Sequence, residues 1–254
     1  MPGMEHDILA LPDGRRIAYR HTPGAGPGVV FLGGLRSDMT GTKAEHLEAW
    51  ARAEGRAFLR FDYTGHGASS GDFTDGCIGD WARDARDAIT ALTAGHQVLV
   101  GSSMGGWIAL LIAKRLSQHV SGLIGIAAAP DFTEDSMWAA MSAEKRLALG
   151  TAGRIELPSD YSEEPYVITL KLIEDGRKNL VLHEPLDLPF PVRLVHGSED
   201  ADVPVSVATR LLTHADGPDM RLYVLKNADH RFSSPEALAL IVRSLEEVLD
   251  ATTA

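Results

Sequence analysis

The chain has 254 residues, 44% hydrophobic and 23% charged, a composition that is ordinary for a globular protein. Its 35 acidic and 24 basic residues give a net charge of −11, which argues against nucleic acid or an anionic membrane surface as a partner. The single cysteine, Cys77, excludes an internal disulfide and fits a reducing compartment. We expect Cys77 to be a packing residue rather than a nucleophile.

The first residues, 1–11, have neither the basic and apolar segments of a signal peptide nor the Arg- and Ser-rich character of a transit peptide. No apolar run approaches the ~20 residues that span a bilayer. These features predict a cytoplasmic protein without a membrane span.

Short apolar strands alternate with helical segments along most of the chain. The alternation indicates βαβ units, and therefore a mostly parallel sheet with helices on both faces in one domain over residues 1–254. The predicted strands are 7–11, 15–21, 28–32, 56–61, 97–101, 122–127, 191–196 and 221–225. The predicted helices are 42–54, 78–92, 104–116, 205–214 and 235–249. In such a sheet, ligands bind at the carboxyl ends of the strands.

The alternation stops over about residues 130–185, where the chain is acidic, irregular and poor in strand candidates. Helical segments over 136–149 and 166–175 fit this stretch best. A long excursion from the edge of a sheet is typical of a cap over a binding site. We therefore predict a small helical cap inserted into the domain.

Five side chains are candidates to line a substrate pocket beneath this cap. Met137, Trp138, Met141 and Tyr166 lie in the cap, and Trp107 lies in the helix after the fifth strand. The alternative for the cap residues is that they hold the cap against the sheet.

The most informative motif is Gly-x-Ser-x-Gly, with Ser103 at its centre, between an apolar strand and a helix. A serine on such a tight turn has a strained backbone, and small neighbours such as Gly101 and Gly105 relieve the crowding. The turn exposes the hydroxyl and directs the Met104 N–H toward the position of a developing oxyanion. Ser103 is therefore the candidate nucleophile.

A serine hydroxyl needs a base within hydrogen-bond reach, and the base needs a carboxylate that fixes its tautomer. His230 and Asp200 each follow a predicted strand, and the order Ser, Asp, His is the one expected on this architecture. We therefore predict His230 as general base and then acid, with Asp200 as the orienting carboxylate. Asp202 and Glu199 remain alternatives for the carboxylate, although Asp202 is also a candidate helix cap.

A second oxyanion donor is expected beside Met104. Gly33-Gly34 lets the backbone come close to the Ser103 turn, so the N–H of Leu35 is the candidate. Among the other histidines, His196 is expected to brace the Asp200 loop and His66 to brace a turn. No His, Cys or Asp cluster has metal-ligand spacing, so neither a metal nor another cofactor is expected.

Several segments together resemble the α/β-hydrolase superfamily, and most closely its branch of domain-containing proteins with a palmitoyl-protein thioesterase that is also described as an acyl-glucuronide esterase. The segments are Phe31 to Met39 with Gly41-Thr42-Lys43-Ala44, Arg60-Phe61-Asp62-Tyr63, Val100 to Trp107, Tyr161-Ser162-Glu163-Glu164, and Asp229-His230-Arg231. One departure is Gly33, which stands where that branch often has proline.

The resemblance implies hydrolysis of an acyl ester or thioester through an acyl-enzyme on Ser103, with a small-molecule substrate or an acylated protein as the partner. It does not choose the leaving group or the acyl length. The alternatives are a general short-chain carboxylesterase, a C–C bond hydrolase with the same three residues, a peptidase, and a non-catalytic binding protein of the same fold.

Overall fold

The computed structural model describes residues 6–157 and 165–253. Its strands, in chain order, are β1 (Asp7–Ala10), β2 (Arg16–Thr22), β3 (Ala25–Leu32), β4 (Arg56–Phe61), β5 (Gln97–Ser102), β6 (Val120–Ile126), β7 (Arg154–Leu157), β8 (Tyr166–Thr169), β9 (Val192–Gly197) and β10 (Met220–Leu225). Its α-helices are α1 (Thr42–Ala53), α2 (Ile78–Leu92), α3 (Met104–Arg115), α4 (Ala143–Ala152), α5 (Leu170–Arg177), α6 (Val205–His214) and α7 (Pro235–Thr253). The predicted alternation of strands and helices is confirmed.

The main sheet has eight strands within the described ranges, in the order β1-β2-β4-β3-β5-β6-β9-β10. The β1–β2 and β2–β4 pairs are antiparallel and the others are parallel, so the predicted mostly parallel sheet is confirmed. Leu32 of β3 pairs with Gly101 of β5, which brings the turn after β3 beside Ser103. The carboxyl ends of β3, β5, β6, β9 and β10 form one edge of the sheet, called the rim below.

Each face of the sheet covers a separate apolar core. Val30 and Leu32 of β3 belong to the core that includes α2 and α3, whereas Val29 and Phe31 belong to the core that includes α1 and α7. Because successive strand residues point to opposite faces, a strand buried on both sides is apolar throughout. Helices on both faces hold the sheet rigid beneath the rim.

The cap, residues 130–185, differs from the predicted pair of helices. It contains a π-helical turn (Thr133–Trp138), α4, α5 and a two-stranded hairpin of β7 and β8. Helix was predicted from residue 166, but Tyr166–Thr169 is a strand and α5 begins at Leu170. Aromatic and β-branched side chains in this run favour an extended backbone once a partner strand is present.

One buried carboxylate joins the two ends of the cap. Asp131, with no exposed surface, accepts hydrogen bonds from the N–H groups of Val181 (2.9 Å) and Leu182 (2.7 Å). Its own backbone has a φ of 58°, in the left-handed region. This cap clasp fixes where the chain leaves the rim and where it returns.

Candidate active site

Ser103 lies on the turn between β5 and α3 with φ 54° and ψ −120°, a conformation that residues other than glycine rarely adopt. Two glycines allow the chain to pack this closely. A Cβ atom at Gly101 would lie 2.3 Å from the carbonyl oxygen of Gly105, and one at Gly105 would lie 2.0 Å from that of Leu32. The strained turn raises the Ser103 hydroxyl above the rim.

Ser103, His230 and Asp200 form a continuous chain of hydrogen bonds across the rim. His230 Nε2 is 3.1 Å from Ser103 Oγ, and His230 Nδ1 is 2.8 Å from Asp200 Oδ2. Because an ionised carboxylate only accepts, Nδ1 donates to Asp200 and Nε2 is left to accept the hydroxyl proton. The three residues predicted from the sequence are thus brought together after β5, β9 and β10.

Asp200 is held as a carboxylate by its surroundings. Its side chain is fully buried, and Oδ1 accepts the N–H groups of Asp202 (3.0 Å) and Val203 (2.8 Å). Burial by itself would raise the pKa of Asp200, but hydrogen bonds from His196, His230 and the Val203 amide outweigh it and lower that pKa well below its usual range. An ionised Asp200 fixes the tautomer and orientation of the imidazole.

The alternative residues have other places in the structure. Asp202 lines the cavity described below, and the N-cap of α6 is Pro204, so Asp202 does not cap that helix. His196 is fully buried, with Nε2 2.8 Å from the carbonyl of Val203 and 3.2 Å from Asp200 Oδ2. It therefore braces the Asp200 loop.

His66 does not line the cavity described below and lies instead in an aromatic cluster with Tyr63, Phe73 and Trp81. Its Nδ1 is 3.2 Å from the carbonyl of Thr64, and burial lowers the pKa of His66 to about 4. A neutral, buried imidazole of this kind braces its turn.

The backbone amides of Leu35 and Met104 are the candidate oxyanion donors. Leu35 follows β3, Met104 begins α3, and both line the same cavity as Ser103. Within the described ranges, neither N–H donates to a protein acceptor. A Cβ built on Gly34 would lie only 3.5 Å from Ser103 Cβ, so the loop before Leu35 comes close to the serine. Two unused donors beside a hydroxyl can stabilise an oxyanion.

The cavity at the rim has a volume of about 440 Å³ and opens between the sheet and the cap. Its wall includes both apolar and charged side chains. The apolar members are Leu35, Met104, Ala129, Phe132, Met137, Tyr166 and Val203. The charged members are Arg36, Lys43, Asp202 and Arg231. Such a cavity accommodates an apolar group next to a polar one.

The chain is similar to known proteins over most of its length. A sequence model described as "Alpha/beta hydrolase family" matches residues 29–240. The chain belongs to this family. Membership makes the protein a hydrolase and confirms the predicted fold class of a mostly parallel sheet flanked by helices.

Two relatives of this α/β hydrolase extend the likeness over almost the whole chain. The bovine protein named palmitoyl-protein thioesterase ABHD10, mitochondrial, is 34% identical over 96% of this chain and 79% of its own length. The structure of mouse alpha/beta hydrolase domain-containing protein 10 has a TM-score of 0.91 at 31% identity and covers 97% of this chain and 99% of that one. The resemblance seen in the sequence is confirmed.

Two further solved structures share the fold. A putative hydrolase from Agrobacterium vitis S4 has a TM-score of 0.92 at 37% identity and covers 97% of this chain and 100% of that one. Est1E from Butyrivibrio proteoclasticus, solved with ferulic acid, has a TM-score of 0.82 at 16% identity and covers 99% and 100%. At that identity, Est1E supports the fold alone.

Of the five side chains expected to line the substrate pocket, Met137 and Tyr166 lie in the cavity wall. Trp107 is instead fully buried in the core, where its Nε1 donates to the carbonyl of Asn179 at 2.9 Å. Met141 is also buried, and Trp138 packs between the guanidinium groups of Arg146 and Arg177. The expectation for Trp107, Trp138 and Met141 is corrected: these side chains hold the hydrolase and its cap together.

Sequence reasoning missed Phe132, Lys43 and Val203 as cavity residues. Phe132 follows β6, Lys43 follows β3 and Val203 follows β9, each within about ten residues of the strand's carboxyl end. Position after a strand was therefore the signal that could have found them. The motif at residues 161–164 lies outside the described residues.

Two groups of acidic and imidazole side chains in the described ranges lie close enough to share a cation: Asp200, Asp202 and His230, and Asp131, Asp135 and His183. Both already have protein partners. Asp200 and His230 bond each other, Asp131 holds the cap clasp, and Asp135 pairs with His183 and Arg210. These contacts account for the closeness of the side chains in each group.

Across the described residues, no helix combines the length and apolar character needed to cross a bilayer.

Proposed function

We propose that this α/β hydrolase cleaves acyl esters or thioesters through an acyl-enzyme formed on Ser103. The observation that carries the proposal is the Ser103–His230–Asp200 hydrogen-bond chain, 3.1 and 2.8 Å long in its two links, beside two unused amides. The names of the similar proteins, which include a palmitoyl-protein thioesterase, support the acyl class of substrate.

In the first half of the reaction, Ser103 Oγ attacks the acyl carbonyl carbon while His230 Nε2 takes the hydroxyl proton. Negative charge moves to the carbonyl oxygen, which accepts hydrogen bonds from the N–H groups of Leu35 and Met104. Each such donor contributes about 10²-fold or more to the rate. The tetrahedral intermediate then collapses, and His230 returns the proton to the departing alcohol or thiol.

In the second half, water replaces the leaving group. His230 Nε2 takes a proton from the water as its oxygen attacks the acyl carbon, and the same two amides stabilise the second oxyanion. The bond to Ser103 Oγ breaks, His230 protonates Oγ, and a carboxylic acid leaves. Asp200 stays ionised throughout and stabilises the imidazolium that forms in each half.

The cavity walls suggest how an acyl substrate sits. Phe132, Met137 and Val203 offer apolar surface for the acyl chain, and the charged members offer partners for a polar leaving group. We propose a small-molecule ester or thioester, or an acylated protein, as the partner.

We also propose a cytoplasmic location for this protein. The single cysteine supports this location, and cell fractionation tests it.

The test combines active-site labelling with a substrate panel. A fluorophosphonate probe should label the purified protein at Ser103, and Ser103→Ala should abolish labelling and turnover while circular dichroism and Tm stay unchanged. Oxygen esters and thioesters of matched acyl chains, from two to sixteen carbons, then define the preferred leaving group and chain length. Labelling at another residue, or turnover that survives in Ser103→Ala, contradicts the proposal.

A further inference from the structure

Lys43 occupies an unusual place for a lysine. It is the second residue of α1, where the positive end of the helix dipole disfavours a cation. It lines the cavity at the rim, and its neighbours Ala44 and Leu47 are fully buried against the sheet. Neither helix formation nor solvation explains a charged side chain here, so a specific contact is expected.

That contact is with the loop that carries His230. The Lys43 ammonium donates a hydrogen bond to the backbone carbonyl of Arg231, the residue directly after His230. The same carbonyl accepts the hydroxyl of Ser233 at 2.9 Å. Lys43 therefore ties a rigid helix to the backbone beside the imidazole.

The loop that carries His230 has a left-handed backbone conformation at both of its ends. It begins at Asn227 and ends at Phe232, and both have positive φ, 61° and 48°. Phe232 is fully buried and anchors the far end, whereas His230 lies between the two ends and reaches over the cavity. Within the loop, the Ala228 carbonyl accepts the N–H of Glu199 (3.0 Å) and His230 bonds Asp200 (2.8 Å), and Lys43 adds a contact from a helix to the residue directly after His230.

The charges around Lys43 come from this loop and from the cavity wall. Burial lowers the pKa of Lys43 to about 8, while the carboxylate of Asp229 opposes this shift and the guanidinium of Arg231 adds to it. Arg36, Tyr166, Asp202 and His230 are the other titratable groups that line the cavity with it. The ammonium form thus predominates below about pH 8, and a charged donor makes the stronger hydrogen bond.

We propose that Lys43 is a positioning residue for the reaction proposed above: its ammonium holds the Arg231 carbonyl and so keeps the His230 imidazole within reach of Ser103 Oγ. The inference rests on the proposed function, because it assigns Lys43 a role through His230. Misplacement of a catalytic group by about 1 Å costs on the order of 10²-fold in rate.

The first test compares Lys43→Met, Lys43→Arg and the exposed control Lys226→Met, which makes the same charge change near the start of the His230 loop. We expect Lys43→Met to lower both kcat and the rate of fluorophosphonate labelling by about 10- to 100-fold, with KM within about threefold. Lys43→Arg keeps a charged donor and should recover most of the loss. Lys226→Met should match the wild type.

The second test is the pH dependence of the labelling rate. In the wild type, the rate should fall as pH rises through about 8, where Lys43 loses its proton. Arginine stays protonated to far higher pH, so this decline should move above about pH 10 in Lys43→Arg. A side chain that only fills space would not shift the profile.

Three results would overturn the proposal. The first is Lys43→Met with wild-type kcat and labelling rate, and the second is an increase in KM at constant kcat, which indicates substrate contact instead. The third is the same alkaline profile in the wild type and Lys43→Arg. If Lys43→Met does not fold, the arginine variant and the wild-type profile still decide. A wild type that is not labelled at Ser103 contradicts the proposed function itself.

Discussion

The rim of the sheet and the cap face the same cavity but are built in different ways. At the rim, backbone crowding fixes the geometry: Gly101 and Gly105 leave no space for a Cβ atom, and Ser103 is held in a strained conformation. In the cap, contacts between side chains hold the structure, such as those of the Trp138 ring with the guanidinium groups of two arginines. This difference indicates that the rim sets the reaction that is possible, while the cap sets which substrates can enter the cavity.

The largest expected effect is at the rim and separates two neighbouring carboxylates. Asp200→Asn keeps the shape of the side chain but removes the charge that fixes the His230 tautomer, so kcat should fall by about 10³- to 10⁴-fold. Asp202→Asn should change kcat by less than about threefold. Steady-state kinetics of both variants checks this, and equal losses would place the orienting role elsewhere.

The same substitution should have opposite effects in the two regions. Gly105→Ala places a methyl group against the Leu32 carbonyl and should lower the free energy of unfolding by about 3 kcal/mol or more. Gly150→Ala in α4 of the cap meets open space and should raise it by about 0.5 to 1 kcal/mol. Denaturant titrations measure both. A tolerated Gly105→Ala would show that the rim has room to relax.

Acid should weaken the rim through Asp200. Its folded-state pKa is lowered, so its ionisation contributes stability that is present above about pH 4 and is lost as pH falls toward the folded-state pKa. The gap in unfolding free energy between the wild type and Asp200→Asn should therefore be about 1 kcal/mol larger at pH 7 than at pH 3. Parallel stability curves for the two proteins would contradict this account.

The smallest expected effect is in the cap and concerns selectivity. Met137 lines the cavity, so Met137→Ala should change the ratio of kcat/KM between long and short acyl chains by about three- to tenfold. Leu147, which is 72% exposed on α4, gives the matched control, and Leu147→Ala should leave the ratio unchanged. A substrate series measured on both variants tests it, and equal ratios would remove the cap wall from acyl selection.

The sheet could be predicted from the sequence because its strands and helices carry their own signals. β4 and α2 have the bounds that the pattern gave, 56–61 and 78–92. The closeness of Ser103 and His230 also followed, since the carboxyl ends of parallel strands share one edge. Parallel topology turned three distant positions along the chain into one candidate site.

The cap and the pocket could not be read in the same way. β8 becomes a strand only because β7 pairs with it, and such a distant partner leaves no local periodicity. Trp107 was misplaced because α3 is buried on every side, so an apolar pattern does not say which face meets the cavity. The helical backbone of the cap is also interrupted before Ser142, the N-cap of α4, so helical spacing across this point does not predict which way the side chains point.

The cap clasp has a consequence for how new specificity can arise in this enzyme. The Asp131 carboxylate holds the amides of Val181 and Leu182, so the two ends of the cap lie side by side. The carbonyl of Asn179, inside the clasped segment, also accepts the Nε1–H of Trp107 (2.9 Å), so the cap is docked on α3 as well. We therefore expect substitutions at its cavity-lining side chains to retune acyl selection while these contacts keep the cap in place.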